Sequence, residues 1–248
     1  MKELNFGLIH LSQEIKHRYF AGLNDGGSTL EDSINWDEDY LTAEFKSGRI
    51  RKDRLTTFLL GGCSWTQSLG IMRQFVGQYG GRQSKLIVAE LDAMVLGYLK
   101  TDLGVTLDTN TKLIQSDLLR PPIKPGSVDY IRLDMLQSFI PPESQLELLT
   151  SLKRILSSHG RISSVIEMVS ETANKKIGYE FKNKDFSGSR IIPADHGLPG
   201  LKYFCFSRQY FNQVCSEAGL VYSFRNNKEM RGVKGRVVDF QHVVMQKK

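Results

Sequence analysis

Between residues 56 and 166, short aliphatic runs alternate with stretches whose apolar positions recur every three or four residues. The runs are TTFLLGG (56–62), KLIVAE (85–90), TKLIQ (111–115) and SVDYIRL (127–133), and a fifth lies within SLKRILSSHGRISSVI (151–166). Strands alternating with helical patterns predict a parallel sheet, since parallel neighbours need a crossover connection. DAMVLGYLKTDLG (92–104) reads as one crossover helix, closed by Gly104. A second opens at Pro141 and Pro142 and presents Leu146, Leu149, Leu152 and Leu156 to the sheet. Beyond the fifth strand, FSRQYFNQVCSEAGLV (206–221) predicts a helix, followed by a strand near 221–224 and a last one in VVDFQHVVMQKK (237–248).

Ligands of open parallel sheets sit outside the carboxyl ends of the strands, and here three strands place an acid there. Glu90 ends the second, Asp117 follows the third and Asp134 the fourth. A carboxylate after the second strand suits a ribose diol, because it accepts both hydroxyl hydrogens. A nucleoside-bearing cofactor is the leading expectation. Each acid also has a plainer reading. Glu90 or Asp92 would serve the start of the next helix, where negative charge is favoured, and Asp117 would hold a turn.

The order of these elements resembles that of the class I S-adenosylmethionine-dependent methyltransferases, over roughly residues 55 to 246. Asp129-Tyr130-Ile131 is similar to that family's acid-aromatic-aliphatic fourth strand, and LLTSLKRILSSHGRI to its approach to the fifth. The resemblance implies an α/β, Rossmann-like fold: a mostly parallel seven-stranded sheet with helices on both faces. It also implies S-adenosylmethionine as cofactor. The methionine part would lie on the first turn (Gly61, Gly62, Cys63, Ser64), the ribose on Glu90 with Leu91 beside it, and the adenine on Asp117 and Leu118. Asp134 would flank the methyl group as a lining residue, a general base or a metal ligand. A metal site would need further acids, and only Glu167 stands near the place, so no metal is expected. The first turn departs from the family's acid-x-Gly-x-Gly-x-Gly. Leu59 replaces the acid, only one of the three glycines is kept, and GQYGGRQSK reads as an insertion before the second strand.

The flanks divide the chain into an N-terminal helical extension (1–54) and a methyltransferase-like domain (55–248) carrying an insertion at 170–201. Leu4, Leu8, Leu11, Ile15 and Tyr19 predict one helix, and INWDEDYLTAEF a second. The insertion is rich in Lys, Gly and Pro without periodicity, as functional loops often are. Extension and insertion are expected to enclose the acceptor with Trp36, Tyr40, Tyr179, His196 and Tyr203, His196 being a candidate base. His10, His17, His159 and His242 have no partner pattern and are assigned no role.

Composition adjusts this picture only slightly. A net charge of +6 is modest, and the basic stretches 46–54 and 225–236 lack interleaved aromatics, so nucleic acid is not the expected acceptor. Asp134-Met135-Leu136-Gln137 replaces the Asn/Asp-Pro-Pro-aromatic motif of many base methylases, which leans toward a small-molecule or oxygen acceptor. Three cysteines without metal spacing, no signal-peptide pattern and no long apolar run point to a reducing cytoplasm and no membrane. The alternatives are a non-catalytic binding module on this fold, or an RNA or protein methyltransferase. A nicotinamide-dependent oxidoreductase is disfavoured by the missing glycine fingerprint.

Overall fold

The computed structural model describes residues 29–62, 66–80, 83–101, 110–133, 136–169, 189–191, 202–204, 206–226 and 238–248. Seven strands form one sheet: β1 (Thr57–Gly61), β2 (Lys85–Glu90), β3 (Thr111–Gln115), β4 (Val128–Leu133), β5 (Leu156–Val169), β8 (Leu220–Asn226) and β9 (Val238–Lys247). Their order is β3-β2-β1-β4-β5-β9-β8. The first five are parallel, and β9 returns antiparallel between β5 and β8. The expected mostly parallel, seven-stranded Rossmann-like sheet is therefore present. A separate ribbon pairs β6 (Ser189–Ile191) with β7 (Lys202–Phe204).

Helices α1 (Thr29–Lys46), α2 (Thr66–Tyr79) and α3 (Ala93–Thr101) cover one face. That face is built from the alternate residues Phe58, Leu60, Leu86, Val88, Tyr130 and Val244. Helices α4 (Pro142–Ile155) and α5 (Arg208–Glu217) cover the other, over Leu59, Ile131, Leu133, Ile162, Ile166 and Val243. β4 is buried along its whole length, which suits the central position between β1 and β5.

Two expectations shift in detail. α4 buries Leu148, Leu149, Leu152 and Ile155, while Leu146 is 37% exposed and Leu156 already belongs to β5. Leu149 and Leu152 are buried as expected, Leu148 and Ile155 take the places of Leu146 and Leu156, and Gln145 turns inward to fasten the preceding loop. The expected insertion before β2 is shorter than it reads, since Gly77, Gln78 and Tyr79 complete α2. Gly104, the N-terminal residues 1–28 and all of 170–201 except β6 lie outside the described residues.

α1 packs into the fold as part of its core. Trp36, Asp37, Tyr40, Leu41 and Glu44 recur at one-turn spacing and are all buried against the sheet or α2. At the opposite, amino-terminal ends of the strands, Asp129 ties β4 to β1. Its Oδ2 accepts the N–H groups of Thr56 and Thr57 at 3.0 and 3.1 Å and the Thr56 hydroxyl at 3.0 Å. The acid of the Asp-Tyr-Ile signature is thus a structural clamp between the two strands that flank the sheet's centre.

Candidate functional site

The carboxyl ends of β1, β2, β3 and β4 meet at the turn after β1. Gly62 has φ +77°, a conformation that costs a residue with a side chain, and its N–H donates to Ala89 O at 3.2 Å. A Cβ on Gly61 would come within 2.5 Å of Leu118 Cδ1 and 3.1 Å of Leu133 Cδ2. A Cβ on Gly62 would come within 2.9 Å of Leu136 Cβ. The two glycines therefore let the segments after β3 and β4 close onto the end of β1. Leu118 is 6% exposed and belongs to the core, so its side chain supports the turn from beneath. Leu59, at the position of the missing acid, is fully buried in that same core.

Glu90 is half-buried at the end of β2. Its Oε1 accepts the backbone N–H groups of Leu91 and Asp92 at 2.8 and 3.1 Å, and Oε2 has no hydrogen bond among the described residues. Burial pushes the carboxyl up to about 7, against the pull of the Asp92 and Leu91 N–H groups, and the charge of Asp92 pushes the same way as burial. The result is a carboxylate fixed in place by its backbone, with no cation beside it among the described residues. Asp92 stands directly before α3 and its carbonyl accepts the Leu96 N–H at 3.2 Å, which puts it at the helix cap. The two acids divide into a capping residue and a carboxylate left for another partner.

Asp117 makes the turn that its plainer reading describes. Its Oδ1 accepts the Leu119 N–H at 2.8 Å and its carbonyl accepts the Arg120 N–H at 3.0 Å. Gln115 Nε2 donates to Leu91 O at 3.2 Å and joins the ends of β2 and β3. Glu90, Leu91, Asp117, Gly61 and Gly62 thus share one edge of the sheet. Cys63, Ser64, Asp134, Tyr179 and His196 lie outside the described residues. Tyr203 is placed by its backbone in β7, opposite Arg190.

Tyr40 needs correction as a wall of the acceptor pocket. Tyr40 accepts a hydrogen bond from Arg161 Nε at 2.9 Å, and Arg161 pairs with Tyr130, which pairs with Phe58 near the start of β1. That is the amino-terminal half of the sheet, far from the strand ends. Tyr40 lines a cavity of about 330 Å³ there, with Glu44, Arg49, Arg161, Val221 and Val244. Trp36, one turn earlier, is 7% exposed and lies against the His242 ring, with centroids 5.6 Å apart. Both face inward because they belong to the buried stripe of α1.

That stripe also carries a group that sequence reasoning missed. Asp37 Oδ1 accepts the Tyr130 hydroxyl at 2.7 Å, His242 Nε2 at 3.0 Å and the Ser163 hydroxyl at short range. Its Oδ2 accepts Arg132 Nη1 at 2.7 Å. All five side chains are buried. Burial alone would raise the Asp37 carboxyl, but the Arg132 charge, the His242 hydrogen bond and charge, and Ser163 hold it at about 2. The available signal was Arg132 itself, a cation inside the otherwise apolar strand YIRL, which requires a buried counter-charge. Nothing in the local sequence says that Asp37 supplies it, because the two are 95 residues apart.

No family model matches the sequence, and no curated protein matches it in sequence. Solved structures do share its fold. A putative sarcosine dimethylglycine methyltransferase from Galdieria sulphuraria matches with TM-score 0.58 at 12% identity, covering 95% of this chain and 99% of that one. A SAM-dependent methyltransferase from Methanosarcina mazei matches with TM-score 0.58 at 11% identity, covering 82% and 97%. Geranyl diphosphate C-methyltransferase from Streptomyces coelicolor, solved with Mg2+, geranyl diphosphate and S-adenosyl-L-homocysteine, matches with TM-score 0.53 at 13% identity, covering 84% and 78%. The fold is that of the class I S-adenosylmethionine-dependent methyltransferases.

Proposed function

We propose that this chain binds S-adenosylmethionine across the ends of β1, β2 and β3 and transfers its methyl group to a small-molecule acceptor. One observation carries the reading: Glu90 is locked by two backbone donors on one oxygen and has no hydrogen bond on the other among the described residues. A ribose diol supplies the hydrogen-bond donors that such a carboxylate lacks, and binding would favour its ionised form. The residues present fit the group. Gly61 and Gly62 keep the turn free of Cβ atoms, and Asp117 keeps one carboxylate oxygen beyond its turn bond.

Bound S-adenosylmethionine would supply an already activated methyl group. The chain's own task is then alignment and the exclusion of water, which together account for much of the rate in a bimolecular reaction. Glu90 would hold the ribose, the Gly62 turn the approach to the methionine part, and Asp117 the adenine edge. Asp134 and His196 remain proposals for the methyl-transfer end, with Asp134 directly following the buried β4 and His196 in the 170–201 insertion. A proton acceptor is needed only when the acceptor atom is protonated at working pH.

A non-catalytic binding module is the second reading, favoured by the buried Leu59 at the place of the acid. Isothermal titration with S-adenosylmethionine, followed by counting tritiated methyl groups moved to a panel of small hydroxyl, amine and amide acceptors, separates the two. Saturable heat with transfer supports the enzyme, and a folded protein that gives no heat of binding and no transfer supports the module.

A further inference from the structure

The 3₁₀ helix Leu136–Phe139, which follows β4, holds two polar side chains that are fully buried, Gln137 and Ser138. Neither Nε2 nor Oε1 of Gln137 has a hydrogen-bond partner among the described residues, and neither does Ser138 Oγ. Gln241 in β9 is 5% exposed, and its Oε1 is likewise unpartnered. Buried polar atoms are almost always paired, so several unpaired ones together ask for an occupant that is not part of the fold.

These groups lie on neighbouring elements. Leu133 ends β4 opposite Ser164, and two residues further along β5 Ile166 lies opposite Gln241. Gln241 alternates with Val243 and Met245, so it faces the α4 and α5 side. The 3₁₀ helix lies against β5 and β7, and Leu136 touches the Gly62 turn. Gln137 is therefore next to the residue that abuts the cofactor turn, on the side of the sheet that Gln241 faces. The backbone here is already satisfied, because Gln145 Nε2 donates to Gln137 O at 2.8 Å and to Ile140 O at 2.7 Å. The loop is held rigid while the Gln137 amide is left unused. His242 Nδ1 is also unpartnered, but it lies on the opposite face, under α1.

We infer that Gln137, Ser138 and Gln241 form the polar wall of the acceptor pocket, and that the acceptor meets them with a neutral group carrying a donor beside an acceptor, such as a carboxamide. The inference rests on the methyl-transfer reading and adds the acceptor's chemistry to it. The unused Gln137 amide offers one donor and one acceptor edge, which a carboxamide matches in both directions. The unpartnered groups are all uncharged, and a desolvated carboxylate or ammonium would need a counter-charge that they do not provide.

The test uses wild type, Gln137→Met and Gln137→Glu, each with and without S-adenosylhomocysteine, and benzamide and benzoate as probes. Gln137→Met removes polar atoms that hold nothing, so it should melt no lower than wild type, whereas Gln137→Glu should melt lower. S-adenosylhomocysteine affinity should stay within about threefold in Gln137→Met, and wild type should prefer benzamide to benzoate by about tenfold, a preference that the variant loses. A Gln137→Met protein that melts several degrees lower would mean that the amide has a structural partner, and overturns the inference. A roughly tenfold loss of S-adenosylhomocysteine affinity would give the amide to the cofactor, and benzoate binding as well as benzamide, or neither binding, would remove the neutral-acceptor class. Absence of S-adenosylhomocysteine binding to wild type would remove the methyl-transfer reading and the pocket's assignment to a methyl acceptor, while melting and probe binding, also read without it, would still decide whether the wall takes a neutral amide.

Discussion

Two carboxylates in this molecule, one buried and one half-buried, have opposite surroundings. Asp37, on the buried face of α1, accepts from Arg132, Tyr130, Ser163 and His242, and its carboxyl is held at about 2. Glu90, at the end of β2, accepts two backbone N–H groups and no other donor among the described residues, and its carboxyl is pushed up to about 7. The first is fully satisfied by the fold and stays ionised. The second is positioned by the fold yet left short of donors, which is what a ligand-binding carboxylate requires. Burial acts on both, and the presence or absence of a cation decides the sign. Satisfaction therefore separates the two acids better than burial does.

The largest effect should come from breaking the satisfied site. Asp37→Ala leaves Arg132 charged and buried without its counter-ion, and should cost about 3 to 5 kcal/mol in urea unfolding. Replacing both partners, as Asp37→Leu with Arg132→Met, should recover much of that loss, since a well-packed apolar pair is often as stable as a buried ion pair. A single variant that loses less than about 1 kcal/mol would show that the cluster is solvated, and would end the contrast.

Glu90→Ala should do the reverse. It removes an acid whose ionised form is disfavoured by burial, so stability should hold or rise slightly. S-adenosylmethionine affinity should fall by about 1 to 3 kcal/mol, the loss of hydrogen bonds to a charged group. A Glu90→Ala protein that unfolds readily would place Glu90 with Asp37 among the structural acids.

Much of this was legible in the sequence, for physical reasons. Alternating strand and helix periods fix the parallel order, and an acid after β2 stands out because few side chains occupy a strand's carboxyl end. Leu118 was harder to read: a leucine beside a ligand and one beneath a glycine turn have the same local pattern, and only Gly61's missing Cβ tells them apart. Tyr40 was misread as a wall of the acceptor pocket because aromatic content marks clefts and cores equally. The helical spacing it shares with Trp36, Leu41 and Glu44 already pointed inward. The Asp37–Arg132 pair was invisible because contacts between residues so far apart leave no local trace.

The smallest effects are those of pH, and they run in opposite directions at the two acids. Asp37 lies below its ordinary 3.8, so its stabilisation is complete above that pH and is lost as pH falls toward about 2. Glu90 lies above its ordinary 4.5, so its contribution is complete below that pH and is lost as pH rises through about 7. For ligand binding the sign at Glu90 reverses, because the ribose needs the ionised form. S-adenosylmethionine affinity should therefore weaken by about tenfold between pH 8 and pH 6, and a flat profile would mean that Glu90 does not hold the ribose.

The most direct measurement is isothermal titration of S-adenosylmethionine into the wild-type protein and into Glu90→Ala at pH 8, each checked as folded by its unfolding curve. We expect one saturable site in the wild type, and an affinity weaker by roughly 5- to 150-fold in the variant. A folded wild type that gives no heat, or a folded Glu90→Ala that binds as tightly as wild type, would contradict the assignment of this strand end to the cofactor.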